Sequence, residues 1–149
     1  MASKNSDSWL FFDRIVRFGE VDAAGVIHFY QLLRWCHEAW EESLQCYGLK
    51  LSDIFPRNIN NSDLPDIALP IVFCEAKFHS PISTGDYLQV NLSPEKIDER
   101  SFQVKTEFLN KSKHVATGLL RHKAIDSITR ESCSLPKNIN NWLSNSISD

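Results

Sequence analysis

The residues best placed to do chemistry are Asp22 and the small residues that follow it, Ala23 to Gly25. They stand between a strand-like segment and a helical stripe that begins near Phe29. The first backbone amides of a helix have no partner within the helix, and the helix dipole makes this end attractive to negative charge. Small neighbouring side chains leave these amides open. A carboxylate beside them can attack a carbonyl carbon or deprotonate a water, while the amides stabilise the oxyanion.

This pairing predicts a hydrolase, and a thioester suits it best. A thioester carbonyl is electrophilic and its thiolate leaves readily, so one carboxylate without a catalytic triad is sufficient. The sequence does not decide whether Asp22 acts as nucleophile or as general base. It contains neither a G-x-S-x-G elbow, a Walker loop nor an H-E-x-x-H motif, and its five histidines lack metal-ligand spacing. We therefore expect no metal and no cofactor.

Apolar periodicity predicts the elements that hold this site. Residues 10–18 alternate as a strand does, with Phe12 and Phe18 on the apolar face. From about residue 29 to residue 47, apolar side chains recur every three or four positions, which predicts an amphipathic helix that packs one face against a sheet. Gly48 is placed to end this helix.

The rest of the chain is predicted to be mostly strands. Two prolines mark residues 50–68 as a surface excursion with one short helix. The order of elements gives an α+β fold in which an antiparallel five-stranded sheet wraps around one long helix. The later strands are predicted at residues 69–79, 88–92, 102–108 and 115–125, and a short terminal helix at 136–144.

Composition bounds the class of protein. Apolar residues make up 42% and charged residues 23%, as is usual for globular proteins, and 149 residues suffice for one domain. No apolar run approaches the roughly 18 to 20 residues that span a bilayer, and the first eight residues are polar, so we expect no membrane association and a cytoplasmic location. The four cysteines form no C-x-x-C pair and are predicted to be reduced and mostly buried.

The charge is distributed unevenly along the chain. The net charge is −3, but residues 1–95 carry 7 Lys/Arg against 13 Asp/Glu, whereas residues 96–137 carry 9 against 5. Solvated strand faces would account for the basic excess, and so would a shallow basic surface that binds a phosphorylated small molecule. Nucleic acid is not an expected partner at this overall charge.

The stretch from Phe18 to Phe29 resembles the motif of the 4-hydroxybenzoyl-CoA thioesterase family of hotdog proteins. That motif is an aromatic, then Asp, two small residues, Gly, two β-branched residues and an aromatic. The order of elements is similar too, over about residues 11–136, so the resemblance implies one hotdog domain in residues 1–149. It also implies that Asp22 is the catalytic carboxylate, that the backbone N–H of Phe29 polarises the thioester carbonyl, and that Gly25 permits a tight approach.

The resemblance further implies an acyl-CoA substrate and a homotetramer, a dimer of dimers with its sites between paired subunits. Residues 36–41, 68–72 and 85–86 are most similar to family members that act on a bicyclic aromatic acyl-CoA. His28 and Tyr30 are predicted to contact the substrate. Side chains predicted to line a pocket for the flat ring are Phe29, Tyr30, Phe73 and Phe78.

The CoA end of the substrate is assigned by the same resemblance. In the family the nucleotide lies over the outer strands, where basic side chains meet its phosphates. Arg100 begins a similar basic-Ser-Phe run and is the first candidate for these contacts, with Arg130 the second. Both residues also fit an ordinary surface position. A second hotdog subclass uses a helix glutamate as catalyst but lacks the Asp22 motif, so Glu38, Glu41 and Glu42 are interpreted as solvated or salt-bridged residues.

Two other functions are compatible with the motif. One is a thioesterase of the same fold that acts on fatty acyl-CoA or on acyl carrier protein. The other is a non-catalytic acyl-CoA binding module, because a fold does not dictate its function. Hotdog dehydratases carry an H-x-x-G-x-P motif, which this sequence lacks.

Overall fold

The computed structural model describes residues 7–56 and 64–147. Short 3-10 turns at Phe18–Glu20 and Leu51–Asp53 interrupt the loops. The predicted α+β class is confirmed. The helices and strands in chain order are α1 (Asp7–Leu10), β1 (Phe11–Ile15), α2 (Phe29–Tyr47), β2 (Ile67–Ala68), β3 (Ile71–Phe78), β4 (Tyr87–Asp98), β5 (Ser101–Asn110), β6 (Lys113–Lys123), β7 (Ile125–Asp126) and α3 (Lys137–Ser146).

Five strands form one sheet in the order β1-β4-β5-β6-β3, and every neighbouring pair is antiparallel. The predicted five-stranded antiparallel sheet is therefore confirmed. β2 and β7 form a separate two-stranded ribbon. Strands β1 and β3 are the two edges of the large sheet, and β3 runs for eight residues along one of them.

The core lies between α2 and the inner face of this sheet. Alternate residues of β4 and β5 point inward, as the period of a strand requires, and α2 packs over β3, β4 and β6. The opposite face of α2 carries exposed charges at Arg34 and Glu42. Buried core residues include Leu32, Trp35, Cys36, Trp40 and Leu44 of α2, Leu88, Val90 and Leu92 of β4, and Phe102, Val104 and Phe108 of β5.

The two terminal helices extend this core. α3 buries Trp142, whose Nε1 donates a 3.1 Å hydrogen bond to Ser43 Oγ on α2. Trp9 of α1 is likewise buried, and its Nε1 donates to Ser146 Oγ at 3.2 Å. The indole N–H groups of Trp142 and Trp9 thus have partners, so these two rings can be buried at little polar cost.

The first strand is shorter than its apolar pattern predicts. β1 ends at Ile15, and Phe18 is 81% exposed at the start of a 3-10 turn, so its predicted place on the apolar strand face is wrong. The turn buries Glu20 instead. Strand β4 is longer than predicted and passes through Pro94. Because β1 pairs with β4 only as far as Asn91, the N–H that Pro94 lacks removes no bond to β1.

Other expectations meet mixed outcomes. The four cysteines are free thiols, but only Cys36 is buried, so their predicted burial is wrong. Part of the predicted surface excursion, residues 57–63, lies outside the described residues. Within the described ranges, no helix combines the length and the apolar character needed to cross a bilayer.

Gly118 on β6 makes room for α2. A Cβ at this position would stand well inside van der Waals contact with Cys36 Sγ, and Cys36 is itself 1% exposed. We expect Gly118→Ala to lower the free energy of unfolding by about 1 to 3 kcal/mol through overpacking. Urea unfolding would measure this. Adding Cys36→Ala should restore most of the loss, and an equal loss with and without the thiol would contradict the clash.

His122 is a fully buried histidine that stacks on Phe102 and contacts Trp40. Its Nδ1 lies 3.0 Å from the carbonyl oxygen of Leu69, while Nε2 has no partner among the described residues. Burial lowers the pKa of His122 to about 4, against the opposing effect of the Leu69 hydrogen bond, and the nearby His37 lowers it further. The folded protein therefore holds this ring neutral.

This burial predicts a loss of stability in mild acid. Below pH 6.5, the ordinary pKa of histidine, His122 binds a proton in the unfolded chain but stays neutral in the folded chain. The free energy of unfolding therefore falls as the pH drops towards 4. We expect His122 to lower the free energy of unfolding by about 2 kcal/mol between pH 7 and pH 5. The variant His122→Asn keeps a hydrogen-bond donor near Leu69 but cannot titrate. Between pH 7 and pH 5 its free energy of unfolding, measured with urea, should fall by about 2 kcal/mol less than that of wild type. His114→Asn, at an exposed position on the same strand, is the control, and its free energy of unfolding should depend on pH as that of wild type does.

Candidate active site

Asp22 lies in a tight loop between the 3-10 turn and α2. Its backbone N–H donates to the Val26 carbonyl at 2.8 Å, and its carbonyl accepts from the Gly25 N–H at 3.0 Å. The side-chain Oδ1 accepts from the Ala24 N–H at 2.8 Å and the Val26 N–H at 3.4 Å. Oδ2 has no hydrogen-bond partner in the described part of the chain. One oxygen therefore fixes the half-buried carboxylate while the other is available to react.

Gly25 adopts φ of +82°, in the left-handed region that other residues avoid. No heavy atom of the chain lies within 4 Å of the place where its Cβ would stand. The backbone conformation of the loop, rather than crowding by the chain, requires glycine here. The tight approach of a substrate stays a prediction.

The loop is joined to the segment that follows β3. Ile27 donates its N–H to the Ile82 carbonyl at 3.0 Å, and Val26 forms an isolated bridge with Ser83. These bonds bring residues 26 and 27 beside residues 82 and 83. The Asp22 loop thus forms one wall of a space whose other wall comes from a distant part of the chain.

Phe29 is the first residue of α2, with His28 at the N-cap. The N–H of His28 donates to the Glu20 carbonyl at 3.3 Å, and its carbonyl accepts from the Gln31 N–H at 3.0 Å. No side-chain cap engages this end of the helix. The N–H of Phe29 therefore has no partner among the described residues, and it can bind a developing negative charge.

Asp22 and Phe29 line the same depression, which has a volume of about 550 Å³. Its polar lining is small, and the far wall carries Phe78 at the end of β3. The structure therefore brings together the carboxylate, the first residue of the helix and an apolar surface. The full lining is Asp22, Val26, Ile27, Phe29, Phe78, His79, Ser80, Pro81 and Ile82.

Glu20 holds this arrangement in place and was not singled out from the sequence. Its Oε1 accepts from the Arg17 N–H at 2.8 Å, and its Oε2 accepts from Trp35 Nε1 at 2.6 Å and from the guanidinium of Arg14. Arg14 also stacks over the Trp35 ring, 4.4 Å from its centroid. One buried carboxylate thus joins β1, the 3-10 turn and α2. The only signal of this role in the sequence is the presence of an acidic residue two positions before Asp22.

The contacts of Glu20 keep it ionised. Burial alone would raise its pKa, but the hydrogen bonds from Arg17, Trp35 and Arg14 outweigh burial and hold the pKa below its ordinary value of 4.5. A buried charge with this many donors is compensated and can order the chain around it. Glu20 therefore acts as a structural anchor for the loop.

The remaining ring-binding candidates divide into two groups. The rings of His28 and Tyr30 stack at 5.4 Å, and Tyr30 meets Phe29 edge-on at 6.1 Å, so these three lie together at the start of α2. Phe73 does not join them. It lies five positions before Phe78 on β3, which puts it on the opposite face of the sheet, under Arg121 at 4.9 Å. Within one chain Phe73 therefore does not line the depression, and its place in a lining between subunits stays a prediction.

The two CoA candidates lie at the other end of the sheet. Arg100 is in the turn between β4 and β5, where its backbone bonds Asp98 and Ala124. Arg130 lies just past β7 with φ of 65°. Both are exposed. Since β4 separates them from the Asp22 end by twelve residues, roughly 40 Å of strand, neither shares the depression with Asp22 in one chain.

The helix glutamates behave as interpreted. Glu38 pairs with Arg14 at 3.3 Å and with Arg34 at 2.8 Å, and Glu41 pairs with His37 at 3.0 Å. Glu42 is exposed. None of the three lines the depression at Asp22.

A model of the Thioesterase-like superfamily matches residues 16–143, which is most of the chain. This chain belongs to the thioesterase-like superfamily. A relative from Prochlorococcus marinus strain MIT 9211, named 1,4-dihydroxy-2-naphthoyl-CoA hydrolase, is 55% identical over 93% of this chain and 92% of its own length. A relative of the same name from Synechococcus sp. strain CC9311 is 51% identical over 93% and 91%.

Solved structures agree with this membership. A crystal structure from Prochlorococcus marinus strain MIT 9313 has a TM-score of 0.92 at 50% identity and covers 96% of this chain and 99% of that one. The 1,4-dihydroxy-2-naphthoyl-CoA thioesterase of Synechocystis has a TM-score of 0.81 at 28% identity, over 91% and 95%. The hotdog fold implied by the motif is therefore confirmed.

In this thioesterase-like chain, sequence reasoning found the local half of the site and, of the distant half, only Phe78. Ser80, Pro81 and Ile82 line the depression, yet no motif connects them with Asp22. Among the described residues, no group of three or more His, Cys, Asp or Glu is placed to hold a metal ion. The roles of Asp22, Phe29, Gly25, His28 and Tyr30 stay predictions.

Proposed function

We propose that this protein hydrolyses 1,4-dihydroxy-2-naphthoyl-CoA to 1,4-dihydroxy-2-naphthoate and CoA, a step of phylloquinone biosynthesis. The observation that carries the proposal is the shared depression of Asp22 and Phe29, where a carboxylate with one free oxygen meets the uncapped start of a helix. Relatives that are 55% and 53% identical carry the name of this hydrolase, and that supports the choice of substrate.

The proposed reaction needs only water and the groups of the chain. The thioester carbonyl oxygen accepts a hydrogen bond from the Phe29 N–H, which draws electrons from the carbonyl carbon. Asp22 either attacks that carbon through Oδ2 or takes a proton from a water that attacks it. The C–S bond breaks, CoA leaves as the thiolate, and water supplies the hydroxyl of the product acid. We propose no cofactor.

The lining of the depression supports an aromatic acyl group. Phe29 and Phe78 are 74% and 43% exposed, and with the exposed Pro81 they offer flat and apolar surface beside Asp22. Aromatic side chains favour offset or edge-on contacts with another ring. A bicyclic ring would cover these exposed side chains and exclude water from the carboxylate.

The exposed edge of the sheet supports assembly with a second copy. β3 is an eight-residue edge strand whose side chains Ile71, Val72 and Phe73 are 43%, 55% and 43% exposed. A long apolar edge of this kind is usually paired or covered. We propose that two copies pair their β3 strands antiparallel about a twofold axis, as isologous dimers do. A homotetramer built from two such dimers and a cytoplasmic location are likewise proposed.

This pairing would complete the site. Antiparallel β3 strands place the Phe78 end of one copy beside the Ile71 end of the other. Near the Ile71 end lie Lys123 of β6, whose N–H bonds the Pro70 carbonyl, and Arg100, whose carbonyl accepts from Ala124. The partner would therefore present Arg100 and Arg130 to the CoA phosphates of a thioester held at Asp22, although the two lie far apart in one chain.

Replacing Asp22 tests the reaction itself. Asn keeps an oxygen for the Ala24 N–H, so the loop should hold, but it can neither attack nor accept a proton. We expect Asp22→Asn to lower kcat about 100-fold or more. The release of CoA thiol would be measured with 1,4-dihydroxy-2-naphthoyl-CoA, benzoyl-CoA and a medium-chain acyl-CoA. Asp53→Asn, at an exposed position in the 3-10 turn after α2, is the matched control.

The pattern of rates separates the rival functions. Preference for the naphthoyl thioester with loss in Asp22→Asn supports the proposal. Preference for the medium-chain substrate would instead indicate a fatty acyl thioesterase of the same fold. Equal rates in the two proteins would remove Asp22 from the mechanism, and wild-type protein without turnover of any thioester would leave a binding module.

Mixed oligomers test whether the site is shared between copies. The Arg100 guanidinium makes no hydrogen bond or ion pair with a described residue, so we expect Arg100→Ala to fold normally and to raise KM. If the arginine comes from the partner, a mixed dimer of Asp22→Asn and Arg100→Ala subunits contains one intact site. Differently tagged subunits would be co-expressed, and the mixed species purified and assayed at low substrate concentration.

We expect the mixed species to approach half of the wild-type rate, well above either parent. A mixture of Asp22→Asn with Asp22→Asn/Arg100→Ala contains no intact carboxylate and is the negative control. A mixed species no more active than Arg100→Ala alone would show that Arg100 serves the site of its own chain, or none.

A further inference from the structure

Ser80 is a polar residue on the wall of the depression that comes from the far part of the chain. It is half-buried, and its hydroxyl makes no hydrogen bond to another described residue. Its oxygen is also not one of the fully buried side-chain atoms that lack a partner. The hydroxyl is therefore free and open to a molecule that occupies the depression.

The other polar residue on this wall is directed elsewhere. His79 Nε2 lies 3.4 Å from the hydroxyl oxygen of Thr117. Thr117 belongs to the face of the sheet opposite Phe78, so the imidazole turns away from the apolar side of the depression. Among the residues that line the depression, Ser80 is thus the polar side chain left to act with Asp22.

The backbone of residues 79–81 has no N–H to spare for a substrate. The N–H groups of His79 and Ser80 both donate to the Val115 carbonyl, at 2.8 Å and 3.2 Å. Pro81 has no N–H. A substrate oxygen at these three residues can therefore receive a hydrogen bond from the Ser80 hydroxyl but not from their backbone.

The pairing of the two walls sets Ser80 at the level of Phe29. The Asp22 loop meets this wall as an antiparallel pair, with Val26 opposite Ser83. The hydrogen bond between residues 27 and 82 keeps this register, and the backbone is still extended at residue 28. Three residues further on along one segment and three back along the other, Phe29 stands opposite Ser80.

This separation suits two donors that share one oxygen. Opposed residues of an antiparallel pair have Cα atoms about 5 Å apart, and two donors that each lie about 3 Å from one oxygen stand at a similar distance. The Phe29 N–H alone gives an oxyanion one donor, whereas oxyanion holes commonly combine backbone N–H groups with a side-chain hydroxyl or amide. The Ser80 hydroxyl is placed to be the second donor.

We propose that the Ser80 hydroxyl is a catalytic group that donates a second hydrogen bond to the thioester oxygen as this oxygen gains negative charge. This rests on the proposed function. The Phe29 N–H and the hydroxyl hold the oxygen from two sides, while Asp22 or its water adds to the carbonyl carbon. Ser80 keeps its proton and forms no covalent bond. Because its hydrogen bond strengthens with the charge, it accelerates turnover more than it tightens substrate binding.

Replacing Ser80 separates turnover from binding. The release of CoA thiol from 1,4-dihydroxy-2-naphthoyl-CoA would be measured over a range of substrate concentrations. We expect Ser80→Ala to lower kcat about 10- to 100-fold and to change KM by less than about threefold. Ser80→Thr keeps the hydroxyl and should retain kcat within about fivefold of wild type. Ser93→Ala, at an exposed serine on β4, is the matched control and should keep both wild-type constants.

The outcomes separate this inference from the proposed function. A wild-type kcat in Ser80→Ala, or a loss confined to KM, overturns the role of Ser80 and leaves the proposed function intact. Equal losses of kcat in Ser80→Ala and Ser80→Thr overturn it too, because the hydroxyl is then not the group required. The unfolding midpoint of Ser80→Ala should match that of wild type, and a lower midpoint together with the lost rate would show a structural role instead. If wild type hydrolyses no thioester, the proposed function fails, and the inference fails with it.

Discussion

The buried charge of Glu20 is the constraint on which the site depends. A carboxylate taken from water is expensive unless donors surround it, and here Arg14, the Arg17 N–H and Trp35 supply them from three elements. The backbone carbonyl of Glu20 also receives the His28 N–H and so sets where α2 begins. The same residue therefore decides where β1 ends, how the Asp22 loop is closed and where the first free helix amides point. That is why the chain leaves the sheet early despite an apolar pattern that continues to Phe18.

The parts that could be predicted were those determined by local periodicity. α2 follows from apolar residues every three or four positions, and the residues around Asp22 lie within eight positions of one another, so a motif can contain them. The wall from Phe78 to Ile82 lies more than fifty residues away and meets the loop only through hydrogen bonds such as Ile27 to Ile82. No pattern in the sequence near Asp22 indicates that the two segments lie side by side. The position of Phe73 was different, because a strand alternates and an odd separation from Phe78 already puts the two on opposite faces.

One chain carries the candidate acyl end and the candidate CoA end of the proposed thioester site at opposite ends of its sheet. The separation follows from the length of β4, roughly 40 Å of strand, and neither arginine lines the depression at Asp22. The proposed twofold pairing of the β3 edges would bring the two ends together, and the same contact would cover the exposed Ile71, Val72 and Phe73. An apolar edge is a liability for a monomer, and in the proposed dimer it would assemble the site. Residues that look like unrelated surface positions in one chain, such as Arg100, can then act on a substrate bound by another.

The start of α2 concentrates polar groups that the free protein does not satisfy. The Phe29 N–H is uncapped, and Asp22 leaves Oδ2 without a partner among the described residues. A sequence selected for stability alone would cap the helix. Such unsatisfied groups bind a substrate most strongly when it brings matching charge and hydrogen-bond partners. The hydrogen bond to the oxyanion strengthens further in the transition state. An uncapped helix start beside a half-free carboxylate is thus a local cost to stability at the proposed reaction centre, as expected where stability has yielded to function.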